Sequence, residues 1–300
     1  MIYLYIPGHS GFGNQLFMYA KAYAEAREWN EQITIINLTT YDDEHPFLLK
    51  KLELDPIVCR MYKVDHITSR PRLSLSCRTA DFLLRHIPSC DRLVEEGYAR
   101  KYDGDQSHLS KKNLYIEGYF ESWRYFDHYR EDIKRQFLSA VPEEHPAVKA
   151  VRSVENSVAL HIRGGDFVRY GRAIESDYYR RAIDRMRELV DHPVFFVVTL
   201  EDAVRQQIRE YVGNDVELRI VEAEGEEKDF VEWNVLCCCR HHIIANSTYS
   251  WWGAYLSDPD ATVLIPDRAT YRAAEKAEDE EYSDYYKKEW IPVCSSDREP

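Results

Sequence analysis

Residues 158–167 read Val-Ala-Leu-His-Ile-Arg-Gly-Gly-Asp-Phe, an apolar strand that stops at His161 and Arg163, turns on two glycines and presents Asp166. A permanent cation, backbone amides freed by glycine and a carboxylate, all at the carboxyl end of a strand, suit an anionic nucleotide ligand better than they suit packing. Outward from this run the second half alternates regularly. Strand 158–162, helix 177–190 with Ser176 as its cap, strand 194–199, helix 201–212, strand 217–221, helix 229–240, strand 242–245, a short helix from Ser250 and strand 262–265 form a βα series. Such alternation predicts a mostly parallel sheet covered by helices, with ligands beyond the carboxyl ends of its strands.

The first half begins the same way. Strand Ile2–Ile6, the turn Gly11-Phe12-Gly13-Asn14, helix Gln15–Trp29 and strand Ile33–Asn37 make one βαβ unit. From 41 to 106 there is no clean period. Strand Leu114–Glu117 and an amphipathic helix Ser122–Leu138 follow, and then two prolines among charges at Val141–Pro146 mark the domain junction. The expectation is two Rossmann-like domains, 1–145 and 146–300, facing an interdomain cleft.

Composition sets the class. A chain of 300 residues with 44% hydrophobic content can bury a full core. Its formal net charge of −13 gives no basic field for nucleic acid, so any phosphate site must be local. The N-terminus lacks the pattern of a signal peptide and no run approaches a membrane span, which points to a cytoplasmic chain. Seven cysteines without framework spacing read as reduced thiols.

Three segments fall where the cleft is expected. The first is the glycine-rich turn Gly8–Gln15, whose amides can approach a phosphate or sugar, with Gly11, Gly13, Asn14 and Gln15 as candidates. The second carries Arg163. In the third, Ile243-Ile244-Ala245-Asn246-Ser247-Thr248-Tyr249-Ser250-Trp251-Trp252-Gly253, a strand runs through polar residues into a helix N-terminus. Hydroxyls and amides there can form an anion nest, while Trp251 and Trp252 read as core.

Together with Gly118-Tyr119-Phe120-Glu121-Ser122 and Glu289-Trp290-Ile291, these segments resemble the α-1,2-fucosyltransferases of glycosyltransferase family 11. The resemblance implies a GT-B-type fold, GDP-β-L-fucose as donor, a galactose-terminated glycan as acceptor, inversion at the anomeric carbon and no obligatory metal or other cofactor. It also exposes a departure: members usually read His-x-Arg-Arg-Gly-Asp, and here Gly164 takes the second arginine position. In that chemistry Arg163 neutralises the charge growing on the leaving β-phosphate. Asn246, Ser247, Thr248 and the amides at Ser250 would assist. His161 is suited to guanine or ribose, or equally is a core histidine. Asp166 is either the base for the acceptor hydroxyl or an orienter of Arg163, and Glu121, Glu175 and Asp177 read as surface or helix-start charges.

Other constellations read as bland. Asp103-Gly104-Asp105 and Asp258-Pro259-Asp260 have the spacing of metal-dependent sugar transferases but do not follow apolar strands. Cys237-Cys238-Cys239 with His241-His242 cannot converge on one ion, because adjacent helical side chains point about 100° apart. The alternative function is a non-catalytic nucleotide-sugar or glycan binder in which Gly164 marks eroded donor binding.

Overall fold

A computed structural model describes residues 1–8, 10–37, 46–62, 86, 90–95, 100–104, 109, 113–164, 166–199, 202–223, 225, 228–275 and 284–295. The chain divides into two compact units, one of Met1–Ala140 with Glu280–Tyr285, the other of Val141–Asp279 with Tyr286–Pro300. Most of the irregular stretch 41–106 and of the acidic run Glu275–Glu281 lies outside the described residues.

In the first unit, β1 (Ile2–Ile6), β2 (Ile33–Asn37), β3 (Val58–Tyr62), β4 (Cys90–Val94) and β5 (Asn113–Glu117) form one parallel sheet in the order β3-β2-β1-β5-β4. Ile2 pairs with Ile33 on one side and Leu114 on the other, so β1 is central, and Ile2, Leu4 and Ile6 are fully buried. Helix α1 (Phe12–Trp29) starts earlier than the sequence pattern predicts: the amides of Asn14 and Gln15 both donate to Gly11 O, at 3.0 and 3.1 Å, so the glycine turn is itself the first helical turn. It ends on Asn30 in the left-handed region, a conformation asparagine tolerates. Nearly every side chain from Phe12 to Ala26 is buried, Lys21 and Glu25 included.

The predicted helix 122–138 is broken. Two short 3-10 turns, Trp123–Tyr125 and Asp127–Tyr129, precede α2 (Arg130–Phe137). Phe126, fully buried edge-on to Phe17 at 5.9 Å, has φ −143°, outside the helical region, so packing overrides the local pattern. Tyr285, near the chain's end, belongs to this unit and stacks on the same Phe17 at 6.4 Å.

The second unit carries α3 (Pro146–Arg152), β6 (Ser157–His161), α4 (Asp166–Arg169), α5 (Ser176–Leu189), β7 (Val194–Val198), α6 (Asp202–Gln206), α7 (Ile208–Val212), β8 (Leu218–Ile220), α8 (Lys228–Cys238), β9 (His241–Ile243), α9 (Thr248–Tyr255), β10 (Val263–Pro266), α10 (Arg268–Glu275) and β11 (Ile291–Val293). The second proline of the expected junction starts a helix: His145 accepts from Ala147 N at 3.2 Å and Pro146 occupies the first turn of α3, where a missing N–H costs nothing. Val148 and Val151 of α3 are fully buried, so the second unit begins ahead of this helix. Ser176 is the first residue of α5 and Glu175 its cap position.

The six strands run parallel in the order β11-β10-β9-β6-β7-β8. The chain winds outward from β6 through β7 to β8, then restarts on the other side of β6 at β9. Between β6 and β9 the winding direction reverses, and in open parallel sheets such a reversal is where ligands bind, beyond the strands' carboxyl ends.

Candidate active site

Both second-half segments singled out in the sequence leave the sheet at that reversal. Beyond His161, Ile162 N donates to Val198 O at 3.1 Å and extends the strand's edge. Arg163 follows, half-buried, with its guanidinium carbon 4.9 Å from the Phe167 ring centroid. Phe167 anchors the loop: its N–H donates to Gly164 O at 2.8 Å, and its carbonyl accepts from Arg172 N at 2.7 Å and Ala173 N at 3.2 Å. Gly171 has φ +66°, the left-handed conformation that lets the chain double back there. Asp166 opens α4 in this loop; its carboxylate lies outside the described atoms.

From β9, Asn246 reaches into the same loop, its Nδ2 donating to Arg172 O at 3.0 Å. Ser247 caps α9 by accepting from Tyr249 N at 3.3 Å, and Thr248 is half-buried in the first turn. Ser250 is buried and donates to Ser247 O at 3.3 Å, so its hydroxyl braces the turn. Tyr178 of α5 ties itself to the chain just beyond β9, its hydroxyl donating to Ile244 O at 2.6 Å. Trp251 and Trp252 are fully buried in the core.

His161 is 1% exposed and tilted against Tyr249 at 5.5 Å. Burial, aided by the Arg163 charge, lowers its pKa to about 3, so the ring is neutral, and neither nitrogen has a hydrogen-bond partner among the described residues. His242 shares this condition but sits within β9, whereas His161 stands at a strand's carboxyl end. A neutral imidazole there has one donor and one acceptor to give a ligand.

A feature the sequence did not single out lies beside it. Glu232 of α8 is fully buried; one oxygen accepts from Arg205 at 2.6 Å, and Oε2 has no partner among the described residues. Burial raises its pKa to about 7, with Arg205 opposing. Its neighbour Tyr249 donates to Asp229 O, and burial followed by the Glu232 and Asp229 charges pushes that phenol up. In sequence, Glu232 is one acid within the helix predicted over 229–240, with nothing to mark it as buried.

The first unit has its own reversal, between β1 and β5, flanked by Pro7–Gly11 and Gly118–Ser122. Gln15, a candidate ligand contact, also braces the loops here: Nε2 donates to Ser10 O (2.8 Å) and Pro46 O (2.9 Å), and Oε1 accepts from Leu48 N (3.0 Å). Gly11 is the cap of α1, Gly13 is buried inside its first turn, and Asn14 is half-buried there. Glu121 is no surface residue: it is 1% exposed and accepts from Arg100 at 2.6 Å.

Around Glu121 lies a charge cluster absent from the sequence reading. Lys21 and Glu25 pair at 2.5 Å inside α1, Lys21 sits 4.6 Å from the Tyr125 ring, and Glu95 accepts from Phe120 N at 2.5 Å. Burial raises Glu95 to about 8, opposed by that amide and reinforced by Glu121. Phe120 has φ +51°, and a Cβ on Gly118 would come within 2.5 Å of Glu95 Cβ, so the loop after β5 is shaped around this carboxyl. A Lys–Glu pair four apart on a helix usually signals a solvated face, which is why sequence alone hides it.

The remaining candidates stay apart. Glu175 and Asp177 are exposed at the start of α5. Asp105 lies outside the described residues, Asp260 pairs with Arg240 at 3.0 Å, and no cluster of three metal-ligating side chains occurs among the described residues. Among the described residues, Cys90, Cys237, Cys238, Cys239 and Cys294 are not joined in disulfides. No described helix is long and apolar enough to cross a membrane.

The fold is similar to that of the fucosyltransferase NodZ from Bradyrhizobium, with TM-score 0.55 and 14% identity over 89% of this chain and 94% of that one. NodZ has also been crystallised with GDP. In sequence the chain is 28% identical to an alpha-1,2-colitosyltransferase of Escherichia coli over 85% of this chain and 88% of the relative. It is 31% identical to galactoside alpha-(1,2)-fucosyltransferase 2 of mouse over 65% of this chain and 59% of that protein. The profile of Glycosyl transferase family 11 matches residues 71–293, a span that contains both segments meeting between β6 and β9. With a GT-B-type α/β fold and that match over most of its length, the chain belongs to glycosyl transferase family 11 and is a glycosyltransferase.

Proposed function

We propose that this glycosyltransferase moves L-fucose from GDP-β-L-fucose to the 2-hydroxyl of a galactose-terminated glycan, with inversion and without a metal. The supporting observation is that Arg163 and the N-terminus of α9 leave adjoining parallel strands at the one reversal point of the second unit's sheet. There a guanidinium and a helix N-terminus can both meet a diphosphate. As the glycosidic bond breaks, negative charge grows on the β-phosphate and positive charge on the sugar ring. Donors aimed at that phosphate stabilise the transition state more than the ground state.

His161 and Glu232 complete the donor site in this reading: both are buried polar groups beside Tyr249, suited to the N–H and carbonyl edge of a base. The second unit is therefore the donor domain and the first the acceptor domain. Asp166, in the loop that carries Arg163, takes the acceptor's proton. Names of the relatives support an α-1,2 linkage, the NodZ structures with GDP and GDP-fucose support the nucleotide, and the colitosyl relative makes the deoxysugar itself the point to test.

The assay is GDP release from GDP-fucose, with and without a galactoside, in excess chelator, followed by NMR of the product linkage. Acceptor-stimulated release giving an α-1,2 product supports the proposal. Saturable GDP binding without turnover overturns it for the binder, a chelator-sensitive reaction overturns the metal-free route, and transfer of colitose but not fucose overturns the choice of sugar.

A further inference from the structure

We propose that Arg172 is a second diphosphate-binding residue of the donor site, supplying the positive charge that Gly164 does not carry; this rests on the GDP-sugar reading above. The guanidinium carbon of Arg172 lies 5.1 Å from the centroid of the Phe167 ring, and that of Arg163 lies 4.9 Å from the same centroid. One phenyl ring thus has two permanent cations within about 5 Å of its centroid.

The placement is built by the backbone. Arg172 N donates to Phe167 O at 2.7 Å, and Arg172 O accepts from Asn246 Nδ2 at 3.0 Å, so both sides of the residue are fixed, one by the loop after β6 and the other by the segment after β9. Gly171, in the left-handed conformation, makes the reversal that brings Arg172 back to Phe167. The side chain remains half-buried on this fixed base.

The consequence is electrostatic. In a chain of formal net charge −13, two guanidinium groups on the loop after β6, tied through Asn246 to the segment after β9, concentrate positive potential locally. A diphosphate has enough oxygens to accept from both, and a forked guanidinium matches two of them at once. A neutral nucleoside would gain nothing from the second cation. The ligand class is therefore a nucleoside diphosphate or its sugar ester, in preference to a nucleoside.

The test compares GDP and guanosine binding by calorimetry for the wild-type chain, Arg172→Ala and Arg172→Lys, with thermal midpoints of the unliganded proteins alongside. Arg172→Ala should weaken GDP about tenfold or more, leave guanosine affinity within about twofold and flatten the dependence of GDP affinity on salt; the lysine variant should fall between. Equal GDP affinity in wild type and Arg172→Ala overturns the proposal and leaves the GDP-sugar reading standing. Parallel loss of GDP and guanosine also overturns it, because the residue is then only holding the loop. A wild-type chain that binds no GDP overturns the GDP-sugar reading and this inference with it.

Discussion

Asn246, at the exit of β9, donates its side-chain amide to the backbone carbonyl of Arg172 at 3.0 Å, joining two stretches of chain that the sequence separates widely. That bond fixes the loop carrying Arg163 relative to the N-terminus of α9. Replacing Asn246 by alanine should cost about 1 kcal/mol of stability, as for one buried hydrogen bond. Because the loop is freed, GDP affinity should drop by more than that stability loss conveys. Parallel melts and GDP titrations decide it: unchanged GDP affinity would show that the bond does not position the site.

Arg163→Ala should reduce turnover by hundreds-fold or more, since a donor aimed at developing charge contributes on the order of 3–4 kcal/mol. Lysine should rescue it poorly, being a point charge without the planar fork. Steady-state kinetics with donor and galactoside check this, and near-normal turnover in the alanine variant would remove Arg163 from the chemistry.

The close approach of α9 to α8 depends on Gly253, where a Cβ would sit 3.1 Å from Leu236 Cβ. Valine there should destabilise the fold by roughly 1–3 kcal/mol through overpacking. It should also shift the first turn of α9 and weaken GDP binding. Chemical denaturation with and without GDP reads both effects; a variant as stable as wild type would mean the helices can separate freely.

Stability should depend on pH in two opposing ways. His161 and His242 are lowered from 6.5 to about 3 by burial, so each favours the fold fully above pH 6.5 and loses that contribution as pH falls toward 3. Glu95 and Glu232 are raised from 4.5 to about 8 and 7, so their contribution is complete below pH 4.5 and is lost as pH rises through those values. Above pH 6.5 each histidine contribution changes by only about 0.4 kcal/mol more, as the unfolded ring finishes losing its proton, so between pH 6.5 and 8 the glutamates dominate. Urea midpoints should therefore decline across that window in wild type and decline less in Glu95→Gln; an identical slope in that variant would show Glu95 to be ionised in the fold.

Much of the second unit is legible in the chain because its elements are short and strongly patterned. Apolar runs such as Val194–Val198 read as buried strands, and the helix opening at Ser176 has a clear apolar stripe. Elsewhere local pattern misleads for identifiable reasons. Phe126 breaks a predicted helix to pack on Phe17, and His145-Pro146, which looks like a linker, caps a helix. Gln15, read beside the glycines as a ligand contact, turns out also to tie three backbone groups together, which no local pattern announces.

The sequence by itself determined the alternation of strand and helix, the cation at Arg163 and the polar run after β9, since those follow from side-chain period and residue type. Strand order had no local signature. Pairing of β6 with β9, the return of Arg172 to the Phe167 ring and the burial of Glu232 and Glu95 were decided only by the tertiary structure. Hydrogen-bonded pairing and desolvation depend on which distant segments are brought into contact, and no window along the chain contains that information.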